Sequence, residues 1–160
     1  MAPEKSEREQ AQRLVADNRK AYHDYHVLET WEAGIVLLGT EIKAIREGSV
    51  NLRDSYARLD NGEIWLLNMH IGPYSHTGWE PHPERRQRKL LLHRDEIRKL
   101  TGRVVEKGLT LVPLQLYFKN GRAKLQLGLA RGKQAHDKRE TLRRREVDRE
   151  TRAAVKARQR

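Results

Sequence analysis

The sequence predicts a mainly β protein: a small closed antiparallel β-barrel with about three short helices and a basic C-terminal tail. Three observations point there. Leu109 to Phe118 and Ala123 to Leu129 are apolar or alternating runs joined through Asn120 and Gly121, residues suited to a tight hairpin. Ser55 to Leu59 and Glu63 to Ile71 form a second such pair across Asp60, Asn61 and Gly62. The helical patterns are short and lie between strands. A plain α+β sandwich is the alternative these patterns leave open.

The elements follow in chain order. Ser6 with Glu9 three residues later is a capping-box pattern and predicts a helix over about Glu7 to Val15. Asn18, Arg19 and Lys20 read as a basic turn, and Tyr22, Tyr25, Val27 and Trp31 predict a strand over Ala21 to Trp31. Between Gly34 and Gly39 the run Ile35 to Leu38 reads as a short strand buried on both faces. Thr40 then caps a helix in which Ile42 and Ile45 face the core while Lys43 and Arg46 face outward, and Gly48 provides the left-handed stop.

The stretch Gly72 to Gln87, with Pro73, Pro81 and Pro83, predicts an exposed loop. Arg88 to Leu92 resumes a strand, and Asp95 to Leu100 a helix with acid first, base last and Gly102 beyond. Pro113 cannot donate to a ladder, so its strand is at an edge or bulged there. Such strands, turns and interleaved helices best fit a barrel of the oligonucleotide-binding type over residues 1–130.

Residues 131–160 differ in kind. They carry twelve Lys or Arg against five Asp or Glu, a net +7 of the total +11, with Leu142, Val147 and Val155 their large aliphatic residues. Burial cannot offset the entropy of ordering such a segment, which predicts disorder in isolation. Its local propensity is helical, through Glu140 with Arg144 and an abundance of Ala, Arg, Lys and Glu. A tail that becomes helical when a polyanion neutralises it follows.

Charge narrows the function classes. A pI near 10.2 predicts a polyanionic partner, nucleic acid before membrane. No apolar signal core or membrane-length run is present, which predicts a cytoplasmic protein. Zero cysteines exclude disulfides and thiolate metal sites. His70, His76, His82 and His93 lack the tight spacing of metal ligands, and no nucleophile elbow or phosphate loop occurs, so neither a cofactor nor catalysis is expected. A metal-dependent nuclease, a general single-strand-binding barrel and a ribosomal structural protein are competing readings of the same charge.

Basic residues near rings are the candidate RNA contacts, together with Asn18 beside Arg19 and the outward Lys43 and Arg46. Arg19 and Lys20 precede Tyr22 and Tyr25, while Arg85, Arg86, Arg88 and Lys89 follow Trp79, and such clusters can grip phosphates and stack bases. Trp31, Trp65 and Tyr117 read as core.

Six segments in register, NRKAYHDY from Asn18, EAGIVLLGTEIKAIR from Glu32, HIGPY from His70, RKLLLH from Arg88, GLTLVPLQLYFKNGRAKL from Gly108 and GKQAHDKR from Gly132, resemble the family of tmRNA-binding small protein B, the SsrA-binding proteins. The resemblance implies an adaptor without catalytic activity in trans-translation. It would bind the tRNA-like domain of tmRNA, travel with elongation factor Tu, and enter the vacant decoding site of a stalled ribosome. It also implies that Glu32, Leu91 and His93 contact tmRNA. Gly132, Lys133, His136, Asp137, Lys138 and Arg139 of the tail would serve in the decoding centre and mRNA channel. His93 is Asn in some relatives, and Gln134 stands where many carry a second basic residue.

Overall fold

A computed structural model describes residues 12–76, 81–104 and 108–158. In order these are β1 (Gln12–Asp17), α1 (Arg19–Asp24), β2 (Tyr25–Ile35), α2 (Gly39–Arg46), β3 (Val50–Asn51), β4 (Tyr56–Asp60), β5 (Glu63–Leu67), β6 (His70–Ile71), β7 (Arg88–Leu91), α3 (Arg94–Val104), β8 (Leu109–Lys119), β9 (Arg122–Gly132) and α4 (Ala135–Arg158). The protein is mainly β. Its large sheet is antiparallel and runs β8-β4-β5-β7-β2-β9, with β9 pairing back onto β8, so the hydrogen bonding closes into a ring. β1 adds to β8 beside β4, and β3 pairs with β6 separately.

Both expected hairpin turns form, but the run Glu63 to Ile71 is not one strand: it divides into β5 and β6 at Asn68, whose φ is 65°, and β6 pairs with β3. Asn61 and Gly62 have φ of 49° and 74°, and Asn120 and Gly121 of 52° and 76°, the doubly positive pattern that matches strand twist in two-residue turns. Pro113 marks a register shift between Pro113 and Gln115, the bulge its missing N–H requires. That bulge turns the strand over. Before it Leu111 faces the ring's main core; after it Leu116 and Phe118 do, while Val112 and Leu114 form a second cluster with Ala21 of α1 and Ala130. Gly128 makes this possible, because a Cβ there would stand 2.9 Å from Leu114 Cδ1.

Several expectations are corrected. Residues 12–15 belong to β1, not to a helix, because the edge of β8 offers them backbone partners, Leu14 opposite Tyr117 and Ala16 opposite Leu116; Ser6 and Glu9 lie outside the described residues. The strand expected from Ala21 begins only at Tyr25, because Asn18 starts a helix instead: its Oδ1 accepts from Ala21 N at 3.2 Å. Of Ile35 to Leu38 only Ile35 is in a strand, and Val36 and Leu38 are exposed. Here Glu41 decides the outcome. Its carboxylate accepts Leu38 N–H at 2.8 Å and so opens α2 at Gly39, without a cap from Thr40. Ile45 is fully buried and Ile42 partly so, and Gly48 has φ 82°, as expected.

The 72–87 segment is tied down at its end rather than simply exposed. His82 is buried, its Nε2 donating to Ile71 O and its Nδ1 in hydrogen-bond contact with Thr40 Oγ1, both at 3.0 Å. α3 runs through Gly102, beyond the expected Leu100. No described helix is long and apolar enough to cross a membrane.

Candidate nucleic-acid interface

Strand β2 carries Glu32 outward, because its neighbour Ala33 is fully buried and successive side chains alternate. Gly34 pairs with Leu91 of β7 on one side and Lys124 of β9 on the other. The pairing brings four distant residues together: Glu32, Leu91, His93 and Lys124 line one open depression, with Glu96 at its rim. Leu91 is 51% exposed although a strand residue, an apolar contact offered to solvent. His93 accepts Ile97 N–H at its carbonyl, 3.0 Å, and so opens α3 with its ring exposed. A Cβ on Gly34 would press Leu91 Cβ at 3.3 Å, so glycine permits this close approach.

Electrostatics set the state of Glu32. Tyr117 Oη donates to Glu32 Oε2 at 2.6 Å, and Lys119 Nζ lies 3.3 Å from the same oxygen and 3.4 Å from Oε1. The phenol bond first, then Lys119 and Lys124, hold the Glu32 carboxyl below the usual carboxylate range. A charged carboxylate amid lysines accepts hydrogen bonds from base amino or ribose hydroxyl groups, while the lysines attract phosphate. The sequence singles out neither Lys124 nor Lys119, and Tyr117, expected in the core, is only partly buried and turns its hydroxyl to Glu32. Only the cross-strand register makes them neighbours of Glu32.

The other sequence-predicted residues divide sharply. Arg88 is withdrawn from any surface: it is fully buried, 2.5 Å from Glu41 Oε2, and donates to Met69 O at 2.6 Å and Glu84 O at 3.2 Å. Arg86 reaches Glu41 Oε1 at 2.6 Å. Two guanidiniums thus share one buried carboxylate, which removes them as free phosphate contacts and makes them the bolt between α2 and β7. Asn18 is likewise buried, donating to Pro113 O at 2.8 Å and Leu52 O at 3.3 Å. Lys89 pairs with Glu63 at 3.0 Å, and Lys20 is paired with Asp54.

Exposed cations remain at Arg19 and on α2. Lys43 Nζ stands 5.4 Å from the Tyr74 ring centre, and Arg46 5.7 Å from that of Phe118. Trp79 lies outside the described residues. Trp31 and Trp65 are partly buried.

The tail begins where β9 ends at Gly132. Lys133 N–H donates to Asp24 O at 2.8 Å, and its Nζ to Tyr22 O at 3.1 Å and Thr141 Oγ1 at 2.8 Å. Lys138 Nζ lies 3.5 Å from Asp24 Oδ1. Burial raises the Asp24 carboxyl, but His23 and Lys138 outweigh it and hold the group low. Arg139 is exposed; of His136 and Asp137 the backbone alone is described, within α4. From Arg143 onward every described residue of α4 is exposed.

Comparison with known proteins adds the rest. Residues 15–157 match the family model described as SmpB protein. An SsrA-binding protein of Carboxydothermus hydrogenoformans is 58% identical over 147 residues, 92% of this chain and 99% of that one. Another, of Corynebacterium glutamicum strain R, is 57% identical over 150 residues, 94% and 92% of the two chains. A solved structure described as "tmRNA-SmpB: a journey to the center of the bacterial ribosome" superposes with a TM-score of 0.66 at 52% identity, covering 81% of this chain and 94% of that one.

Proposed function

The chain belongs to the SmpB protein family, and from that membership we propose how its parts divide the work of an RNA-binding adaptor in trans-translation. It binds tmRNA and acts on the ribosome; it is not an enzyme. The observation that carries the binding reading is the convergence of Glu32, Leu91, His93 and Lys124 in one depression. The tRNA-like domain of tmRNA docks there. Its folded shape, backbone and a few unpaired groups are read by the fixed carboxylate, the exposed leucine and the lysines. Lys43, Arg46 and Arg19 supply further phosphate contacts.

The α4 tail has a different task. Free of the ribosome its exposed, highly charged helix frays, as a segment without buried apolar surface does. In a ribosome stalled on broken mRNA, rRNA phosphates around the vacant decoding site and mRNA channel neutralise Lys133, Lys138 and Arg139, with Gly132, His136 and Asp137 beside them, and the helix is fixed. Intact mRNA excludes it. Elongation factor Tu brings the complex in, and the whole process is cytoplasmic.

A titration at physiological salt tests the first part, comparing the tRNA-like domain with an unstructured RNA of equal length. Preference for the folded RNA by orders of magnitude is expected; equal binding would reduce the protein to a general nucleic-acid binder. Deleting the chain from Gly132 should leave that binding largely intact while abolishing peptide tagging on stalled ribosomes. Equal loss of both would refute the division.

A further inference from the structure

Between β2 and α3 lies a second trough, distinct from the depression around Glu32. Trp31, half-buried against the core, forms its floor, and α3 contributes Arg98, Lys99 and Arg103, with Glu29 opposite. Arg103 Nη1 donates to Glu29 Oε1 at 3.1 Å, which fixes one guanidinium along the trough. Arg98 and Lys99 are exposed and, among the described residues, have no carboxylate partner. Among the described residues, Arg98 and Lys99 are thus two cations held open over an aromatic floor.

Helix α3 joins this trough to the depression. Glu96, Lys99 and Arg103 stand at i, i+3 and i+7, so a single face of α3 borders both, Glu96 the depression and the two cations the trough. On the sheet side Trp31 and Glu32 are consecutive and so face opposite sides of β2, which leaves α3 as the element common to both sites. From His93 to Arg103 the helix covers about 15 Å, the length of a few nucleotides.

We propose that this trough takes the sugar-phosphate backbone of tmRNA as it leaves the Glu32 depression, with Arg98 and Lys99 on phosphates and the open edge of Trp31 against a sugar or base. The inference rests on the reading of that depression as a site for folded RNA. An acidic peptide would meet the same charge, but among the described residues Trp31 is the single large apolar side chain of the trough, too little for a protein anchor. Continuity with that depression assigns the backbone to tmRNA rather than to ribosomal RNA.

The test compares the full chain with its Arg98→Gln/Lys99→Gln variant, both exposed positions, after thermal melts establish equal stability. Each is titrated from 50 to 200 mM salt with the tRNA-like domain of tmRNA and, separately, with small ribosomal subunits. Losing two phosphate contacts should lower the slope of log affinity against log salt by about 1.4 to 1.8, so the fourfold rise in salt costs the native chain about tenfold more affinity than the variant. A lower slope in the first arm is the result expected; a lower slope in the second arm alone would give the trough to ribosomal RNA and overturn the proposal. Unchanged slopes in both arms overturn the proposal, and a Glu32→Ala variant run alongside then shows whether the depression still stands. Equal binding of the native chain to folded and unstructured RNA would overturn the depression reading, and the trough with it.

Discussion

Tyr117 and Glu32 sit on strands that never pair, yet the phenol reaches across β9 to the carboxylate at 2.6 Å. Burial and this bond push the Tyr117 phenol well above its ordinary range, so it remains a donor throughout the physiological span. Tyr117→Phe should leave the fold intact and free the Glu32 side chain to rotate. Weakening of tRNA-like RNA binding by about fivefold to tenfold is expected, the worth of one such bond at about 1 to 1.5 kcal/mol. The double variant with Glu32→Gln should lose little more than either single one. Strict additivity in that cycle would separate the two residues.

Acid should dissolve this contact in a stated direction. A carboxyl depressed in the folded state contributes stability above its unfolded value of about 4.5, and that contribution is lost as pH falls through the lower native value. NMR titration of Glu32 should therefore show it ionised at pH 5, and Tyr117→Phe should raise its midpoint. A midpoint at or above the free value in the native protein would contradict the geometry.

Breaking the Glu41 pair from one side should be costly. Arg88→Ala leaves a buried carboxylate with Arg86 alone, and a loss of about 3 to 5 kcal/mol is expected in urea unfolding. Glu41→Leu with Arg88→Met should cost far less. A loss below 1 kcal/mol for Arg88→Ala would mean that water replaces the partner.

Asn18 joins three elements, so Asn18→Ala should destabilise by about 1 to 3 kcal/mol, through a lost helix cap and unpaired carbonyls at Leu52 and Pro113. Its effect on RNA affinity, measured well below the unfolding midpoint, should be slight. A large affinity loss in a fully folded variant would restore Asn18 as a direct contact.

Asp24→Asn should loosen the base of α4. An exposed ion pair of this kind is worth about 0.2 to 1 kcal/mol, so amide exchange in the first turn of α4 should quicken by about twofold to fivefold, with little change elsewhere. Asp24→Glu should restore most of the protection. Exchange identical to the native rate in Asp24→Asn would remove the Lys138 contact from consideration.

Local chemistry explains what was legible in the chain. Asn61-Gly62, Asn120-Gly121, Gly48 and Pro113 each announce a backbone geometry that few other residues provide, and the hairpins, the helix stop and the bulge stand where the sequence predicts them. Long-range polar pairing was not legible. Arg88 reads as a surface cation because nothing near it reveals Glu41, 47 positions earlier, and Asn18 reads as a turn because Pro113 is 95 positions away. The depression shows the same limit from the other side: Glu32, Leu91 and His93 came from family likeness, whereas Lys124 and Tyr117 emerge only from the register of β2 on β9 and β9 on β8.

Gly132 has open space where a Cβ would stand, and α4 meets α1 through Lys133 and Lys138, both at its root. Once fixed on the ribosome as a rod, the 24 residues of α4 are about 36 Å long, so a turn of about 10° at that root carries the far end about 6 Å. Asp24 is in effect a fulcrum. Adjustments at α1 too small to disturb the ring are multiplied along the helix, and the charges at its tip answer to a contact made a whole helix length away.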